Sequence, residues 1–190
     1  MGKANVTVCL VSWKRPQNIP EVLESLDQQT QRPRIVLWDN SSPRSEHADD
    51  PRVDECISSS WNLGPMARWT VLAQADTEYI CVIDDDLKLA DEQVLEDAVA
   101  ACAEECPRGI VGFFGVSEVE GEKYKNWNHH NGTTTGTACD MIKGRFMLMR
   151  RGELLRVPLV PFPQLDREEF KLNGALREDD IYVSLLTSGA

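Results

Sequence analysis

Tyr79-Ile80-Cys81-Val82-Ile83 is an apolar run that stops abruptly at Asp84-Asp85-Asp86. Side chains alternate between the two faces of a strand, so a run with no polar residue at either parity must be covered on both sides. Such a strand belongs in the interior of a sheet with helices packed above and below. The same grammar recurs upstream. Val6-Thr7-Val8-Cys9-Leu10-Val11 runs into Ser12-Trp13-Lys14-Arg15-Pro16, and residues 34–38 run into Asp39-Asn40-Ser41-Ser42-Pro43, a cluster of turn formers. Residues 53–57 form a weaker strand pattern.

Helical periods separate these runs. Asn18-Ile19-Pro20-Glu21 supplies a cap, an early proline and an acidic first turn, followed by Val22, Leu23 and Leu26 on one face. Met66, Trp69, Leu72 and Ala73 repeat the spacing after Asn62-Leu63-Gly64-Pro65. Asp91 is positioned to cap a third helix through Val94, Leu95, Ala98, Val99 and Cys102, closed by Pro107 and Gly109. Residues 110–114 follow as a fifth strand. Strands alternating with helices in this order predict an α/β fold with a mainly parallel sheet covered on both faces. Beyond Gly115, Trp127-Asn128-His129-His130-Asn131-Gly132 and the threonines after it have no clear period and read as a long loop. Residues 141–149 resume an extended apolar pattern. Arg177-Glu178-Asp179-Asp180 opens a final helix with Ile181, Leu185 and Leu186, after which the sequence stops as a truncated domain would.

At 190 residues with 42% hydrophobic content, the chain is expected to form a single domain with one sizeable core. The net charge of −11 opposes a broad basic face for a phosphate polymer, so no nucleic-acid partner is expected. No run approaches the roughly 18 apolar residues of a membrane helix, and no leader pattern opens the chain, which predicts no transmembrane segment and a cytoplasmic protein, free or peripheral to a membrane. Cys9 and Cys81 lie inside apolar strands, and Cys102 and Cys106 lack a second Cys/His pair. The six cysteines therefore read as free thiols rather than disulfides or a zinc site.

Ligands of open α/β sheets sit outside the carboxyl ends of the strands, where this chain places Lys14-Arg15, Asp39-Asn40 and Asp84-Asp85-Asp86. Three like charges in series repel one another, which favours a cation or ligand site over an idle acidic turn. A carboxylate pair with one residue between can hold a hard cation from one side and leave positions open for phosphate oxygens. No G-x-G-x-x-G turn follows the first strand and no G-x-x-x-x-G-K-[ST] occurs, so a dehydrogenase and a P-loop kinase are disfavoured. Without a glycine nest, a cation has to neutralise the phosphates.

Val11-Ser12-Trp13-Lys14-Arg15-Pro16, Trp38-Asp39-Asn40-Ser41-Ser42, Asn62-Leu63-Gly64 with Arg68, Ile83-Asp84-Asp85-Asp86 and Glu178-Asp179-Asp180-Ile181 resemble, in order, the motifs of GT-A glycosyltransferases. The likeness is to the family-2-like group, with some to exostosin-type enzymes. It implies a single catalytic domain over 1–190, with a nucleotide-binding half over 1–115 and an acceptor-binding half over 116–190. The implied reaction is hexosyl or deoxyhexosyl transfer from a nucleotide sugar, a UDP-sugar foremost, to a hydroxyl of a glycan or glycoconjugate, with inversion and with Mn²⁺ or Mg²⁺ as cofactor. Asp39 would meet the base or ribose, Asn62 and Arg68 would line the nucleotide pocket beside Arg15 and Asp85, Asp84 would reach the ribose, and Asp86 would hold the metal. Asp179 or Asp180 would be the general base.

Each residue also has a plainer reading. Asp39 and Asn62 suit turns, Arg68 a solvated helix face, and the late acids a helix N-terminus. His129 and His130 could serve a metal or an acceptor, or be solvated. Trp127 could stack on a sugar, and Lys143-Gly144-Arg145 could bring a cation to the diphosphate. The methionines at 141, 147 and 149 read as core. The rival functions are a nucleotidyltransferase and a non-catalytic carbohydrate-binding domain.

Overall fold

The structure, a computed structural model, describes residues 5–40, 44–60, 64–65, 67–131 and 136–156. In chain order its elements are β1 (Val6–Ser12), α1 (Ile19–Asp27), β2 (Arg34–Asp39), β3 (Glu55–Ser58), α2 (Ala67–Leu72), β4 (Tyr79–Asp84), α3 (Val94–Glu104), β5 (Val111–Gly112), β6 (Phe114–Ser117), β7 (Asn128–Asn131), β8 (Met141–Ile142), β9 (Phe146–Arg150) and α4 (Arg151–Leu154). Six strands form one sheet in the order β3-β2-β1-β4-β9-β5, and β7-β6-β8 form a second. β1 to β4 are mutually parallel, and β9 runs antiparallel to β4 and β5. The α/β architecture with a mainly parallel sheet is as the sequence predicts.

Strand alternation sorts the core into two layers. Val8, Leu10, Ile35, Leu37, Cys81, Ile83, Phe146 and Leu148 face α1 and α3, joining Ile19, Leu23, Leu26, Leu95 and Cys102. Their neighbours Cys9, Val36, Trp38, Ile80, Val82, Met147 and Met149 face the other way, against Trp69, Leu72 and Leu154. Both faces of β4 are therefore dry, which is what its unbroken apolar sequence requires. Met141, Met147 and Met149 are buried as core. All six cysteines are free, and burial raises the Cys9 thiol to about 12 and pushes Cys81 up as well.

The register sets the site. Val11 pairs with Trp38 on one side and Asp84 on the other, and Ser12 pairs with Asp39, so the polar strand ends finish level. From β1 the chain builds outward through β2 and β3, then returns to place β4 on the opposite side of β1. The strand order reverses there, and the crevice above β1 and β4 is the place where such sheets bind ligands.

Several expectations need correction. Residues 110–114 do not form one strand, because β5 ends at Gly112 and β6 begins at Phe114 in the other sheet. The long loop contains β7, whose Asn and His residues have poor strand propensity but pair with Phe114–Ser117 of β6. Residues 141–149 are two strands broken at Lys143-Gly144-Arg145. Helix α3 starts at Val94 rather than beside Asp91. The Asp91 carboxylate accepts the Gln93 N–H (2.9 Å), while buried Gln29 accepts the Leu95 N–H (3.0 Å) through Oε1 and so caps the helix from the end of α1. No helix among the described residues is long and apolar enough to cross a membrane.

Candidate active site

A cavity of about 250 Å³ lies above the β1/β4 reversal, with Trp13, Arg15, Asn40, Arg68, Asp84 and Asp85 on its walls. Four elements bring them together. β1 delivers Trp13 and Arg15, β2 delivers Asn40, α2 delivers Arg68, and β4 delivers the aspartates.

The three aspartates occupy distinct environments. Asp84 Oδ1 accepts from Arg68 Nη1 at 2.7 Å, and the Arg68 side chain is only 5% exposed, so it is not the solvated helix residue that its pattern allows. Asp85 is buried, and desolvation raises its carboxyl above the ordinary range, with Arg15 acting in the opposite sense. Its Oδ1 pairs with Arg15 Nη2 at 2.6 Å and its Oδ2 accepts the Trp13 backbone N–H at 3.4 Å. Asp86 stands at the rim with its side chain 30% exposed, taking Arg15 Nη1 at 2.7 Å and lying 4.0 Å from Arg145 Nη2. Three guanidinium groups thus face three carboxylates among the described residues.

Asp39 ends β2 fully buried, behind the cavity rather than on its wall. Its Oδ2 accepts the Ser45 N–H at 2.6 Å, and Oδ1 is buried without a hydrogen-bond partner. Its neighbour Asn40 lines the cavity, fixed by a backbone bond to Ser12 O (3.0 Å) and by Ser59 Oγ on its Oδ1 (3.1 Å). Asn40, expected at the crevice as part of Asp39-Asn40, does line the cavity, and Trp13, which stands within the first motif without a role of its own, lines it too. Asn62, Asp179 and Asp180 lie outside the described residues.

Residues 7–156 match the model of glycosyl transferase family 2. The chain belongs to that family. Among solved structures, the chain is similar to the mannosyltransferase PcManGT from Pyrobaculum calidifontis, determined with GDP-Man and Mn²⁺. That likeness has a TM-score of 0.60 and 18% identity, covering 84% of this chain and 48% of the other. S. aureus TarS residues 1–349 match with a TM-score of 0.53 and 16% identity over 87% and 52%. CMP:2-keto-3-deoxy-manno-octonic acid synthetase, complexed with CTP, matches with a TM-score of 0.55 and 11% identity over 91% and 84%. At these identities the likeness is one of fold. The chain spans about half the length of the first two structures, and no curated protein matches its sequence.

The histidines of the second sheet are engaged away from the aspartates. His130 Nε2 bonds Ser117 Oγ (2.8 Å) and His129 Nδ1 meets Lys143 Nζ (2.8 Å). A larger cleft of about 580 Å³ opens between α3, β5 and residues 136–142. Asp97, Glu105 and Asp140 line it, which makes it a poor receptor for a diphosphate.

Proposed function

We propose that this glycosyltransferase moves a hexosyl or deoxyhexosyl group from a UDP-sugar to a hydroxyl of a glycan or glycoconjugate, inverting the anomeric centre, with Mn²⁺ or Mg²⁺ at Asp86. The carrying observation is the paired set of arginines and aspartates in a cavity at the sheet's switch point. Arg15, on the cavity wall, and Arg145, 4.0 Å from Asp86, would meet phosphate oxygens with their planar two-donor groups. Among the described residues no cluster of three or more His, Cys, Asp or Glu side chains could hold a metal. The proposed cation would take one carboxylate, Asp86, from the protein and its other ligands from phosphate and water. Bound there, it would stabilise the negative charge of the leaving diphosphate.

Uracil is the base we propose for Asp39, whose Oδ1 lacks a hydrogen-bond partner but lies behind the cavity wall, so the base would have to open that wall to reach it. A buried carboxylate oxygen without a partner is costly, and uracil offers one imide N–H for the one vacant oxygen, Oδ2 being held by Ser45. Asp84, a third exposed, is placed to accept from ribose hydroxyls while Arg68 holds it. Asn62 would complete the nucleotide pocket, and Asp179 or Asp180 would take the acceptor proton.

Thermal stabilisation by a panel of nucleotide sugars, with and without Mn²⁺, tests the donor reading, since a ligand of the native state raises stability by mass action. The product decides the class of reaction. Release of a free nucleoside diphosphate is expected. Release of pyrophosphate would instead favour nucleotidyl transfer, a reading to which the fold likeness with the CTP-bound synthetase gives some support.

A further inference from the structure

We propose that Arg15 couples the two ligands of the site: in the unliganded protein its guanidinium occupies Asp86 in place of a divalent cation, and a diphosphate draws it away. This inference rests on the donor and metal reading above. Arg15 is joined to Asp85 and Asp86 by one nitrogen each, at 2.6 and 2.7 Å, from far away in the sequence. Asp85 is buried and keeps a second bond, from the Trp13 N–H, whereas Asp86 is 30% exposed and can be given up.

The turn that presents Arg15 has a special backbone. Lys14, at φ 61°, is the one non-glycine residue with positive φ among the described residues. The left-handed region is unfavourable for an L-residue that carries a Cβ. The Lys14 ammonium folds back over the Trp13 ring, 4.3 Å from its centroid, so the conformation aims Arg15 rather than Lys14 at the carboxylates.

A cation arriving alone must displace Arg15 from Asp86 while Arg145 stands 4.0 Å away. A diphosphate arriving first offers Arg15 a two-oxygen partner. Once Arg15 moves onto it, Asp86 is open to a cation that the same phosphates also attract. Each ligand then raises the affinity of the other, by the same factor in both directions.

The test titrates Mn²⁺ by calorimetry, and by loss of the free-ion paramagnetic resonance signal, with and without UDP and in parallel with GDP. The proteins are the parent, Arg15→Ala, Lys14→Gln and Asp86→Ala, each checked for a cooperative melt. Arg15 is 46% exposed, so its truncation should fold. Without nucleotide, Arg15→Ala should bind Mn²⁺ about threefold more tightly, within the roughly fivefold that release from a partly exposed ion pair allows. It should also bind UDP more weakly in EDTA and show a smaller tightening of Mn²⁺ by UDP. Lys14→Gln removes the same charge one residue away and keeps an unbranched stem at the turn, so its effect on Mn²⁺ affinity should be smaller than that of Arg15→Ala. Unchanged Mn²⁺ affinity in Arg15→Ala, or an equal effect from Lys14→Gln, overturns the coupling role even where Asp86→Ala abolishes Mn²⁺ binding and the metal reading stands. Mn²⁺ binding that survives Asp86→Ala, or no Mn²⁺ uptake by any protein with either nucleotide, overturns both.

Discussion

Replacing Arg68 with Met should remove stability and nucleotide affinity together, and the two losses have separable causes. The Arg68 side chain is 5% exposed and its Nη1 lies 2.7 Å from Asp84 Oδ1, while Asp84 is 33% exposed. Breaking a wholly buried pair costs about 3–5 kcal/mol because a naked charge stays behind, whereas exposed pairs contribute about 0–1 kcal/mol. Here one partner is dry and the other reaches water, so Asp84 can be partly resolvated. Methionine keeps much of the apolar stem while losing the guanidinium that lies 5.9 Å from the Trp69 ring centroid. An intermediate loss of about 2 kcal/mol follows from these limits. Arg68→Met with Asp84→Asn should recover roughly half of it, since neutralising both partners leaves no uncompensated charge. Urea unfolding of the parent, both single variants and the double variant measures the coupling, and UDP titration of the same proteins measures the site. A double variant whose loss equals the sum of the single losses, within about 0.3 kcal/mol, would refute the assignment of Arg68 and Asp84 as an interacting pair.

Other outcomes are specific. UDP should bind more tightly than GDP by calorimetric titration, and a tenfold preference for GDP, about 1.4 kcal/mol, would remove the role given to Asp39. Of Asp179→Asn and Asp180→Asn, one should suppress sugar transfer by about 10²–10⁴-fold with UDP affinity retained, the range for loss of a general base; near-parent turnover in both would place the base elsewhere. Asp50 is held down to about 2 chiefly by its side-chain bonds to Arg52, well below the ordinary carboxylate value near 4. A depressed carboxylate stabilises the folded state above the unfolded value and loses that contribution as pH falls toward 2, so the stability gap between the parent and Asp50→Asn should be about 1 kcal/mol at pH 6 and close between pH 4 and 2. A gap that persists at pH 2 in urea melts would show that the pair does not act through its charge.

The central sheet was legible where burial on both faces leaves a strand no polar choice. β1, β2 and β4 announce themselves that way, and their ends in Ser12, Asp39 and Asp84 mark one level because parallel register ties them together. The second sheet was not legible. Asn128, His129, His130 and Asn131 form a strand only because Phe114–Ser117 lies alongside to bond their backbone, a pairing that no local period records. Gly112 and Phe114 likewise give no local sign that the chain changes sheets between them. Gln29 as the cap of α3 was hidden for the same reason, since its hydrogen bond to Leu95 spans two elements.

The candidate site divides along the same line. Asp84, Asp85 and Asp86 were conspicuous because three like charges in series ask for a counter-charge, yet the sequence does not say where that charge comes from. The structure shows it arriving by tertiary contact: Arg15 from the turn after β1, Arg68 from α2 and Arg145 from the turn before β9. Among the described residues these three guanidinium groups already face carboxylates, so an incoming anion would gain one of them only when that arginine changes partner. A donor site of this kind is tuned less by how many basic residues surround it than by which of its ion pairs breaks most easily. The exposures place that weak point at the rim, where Asp86 and Arg15 both reach water, and not at the buried Arg68 beneath Asp84.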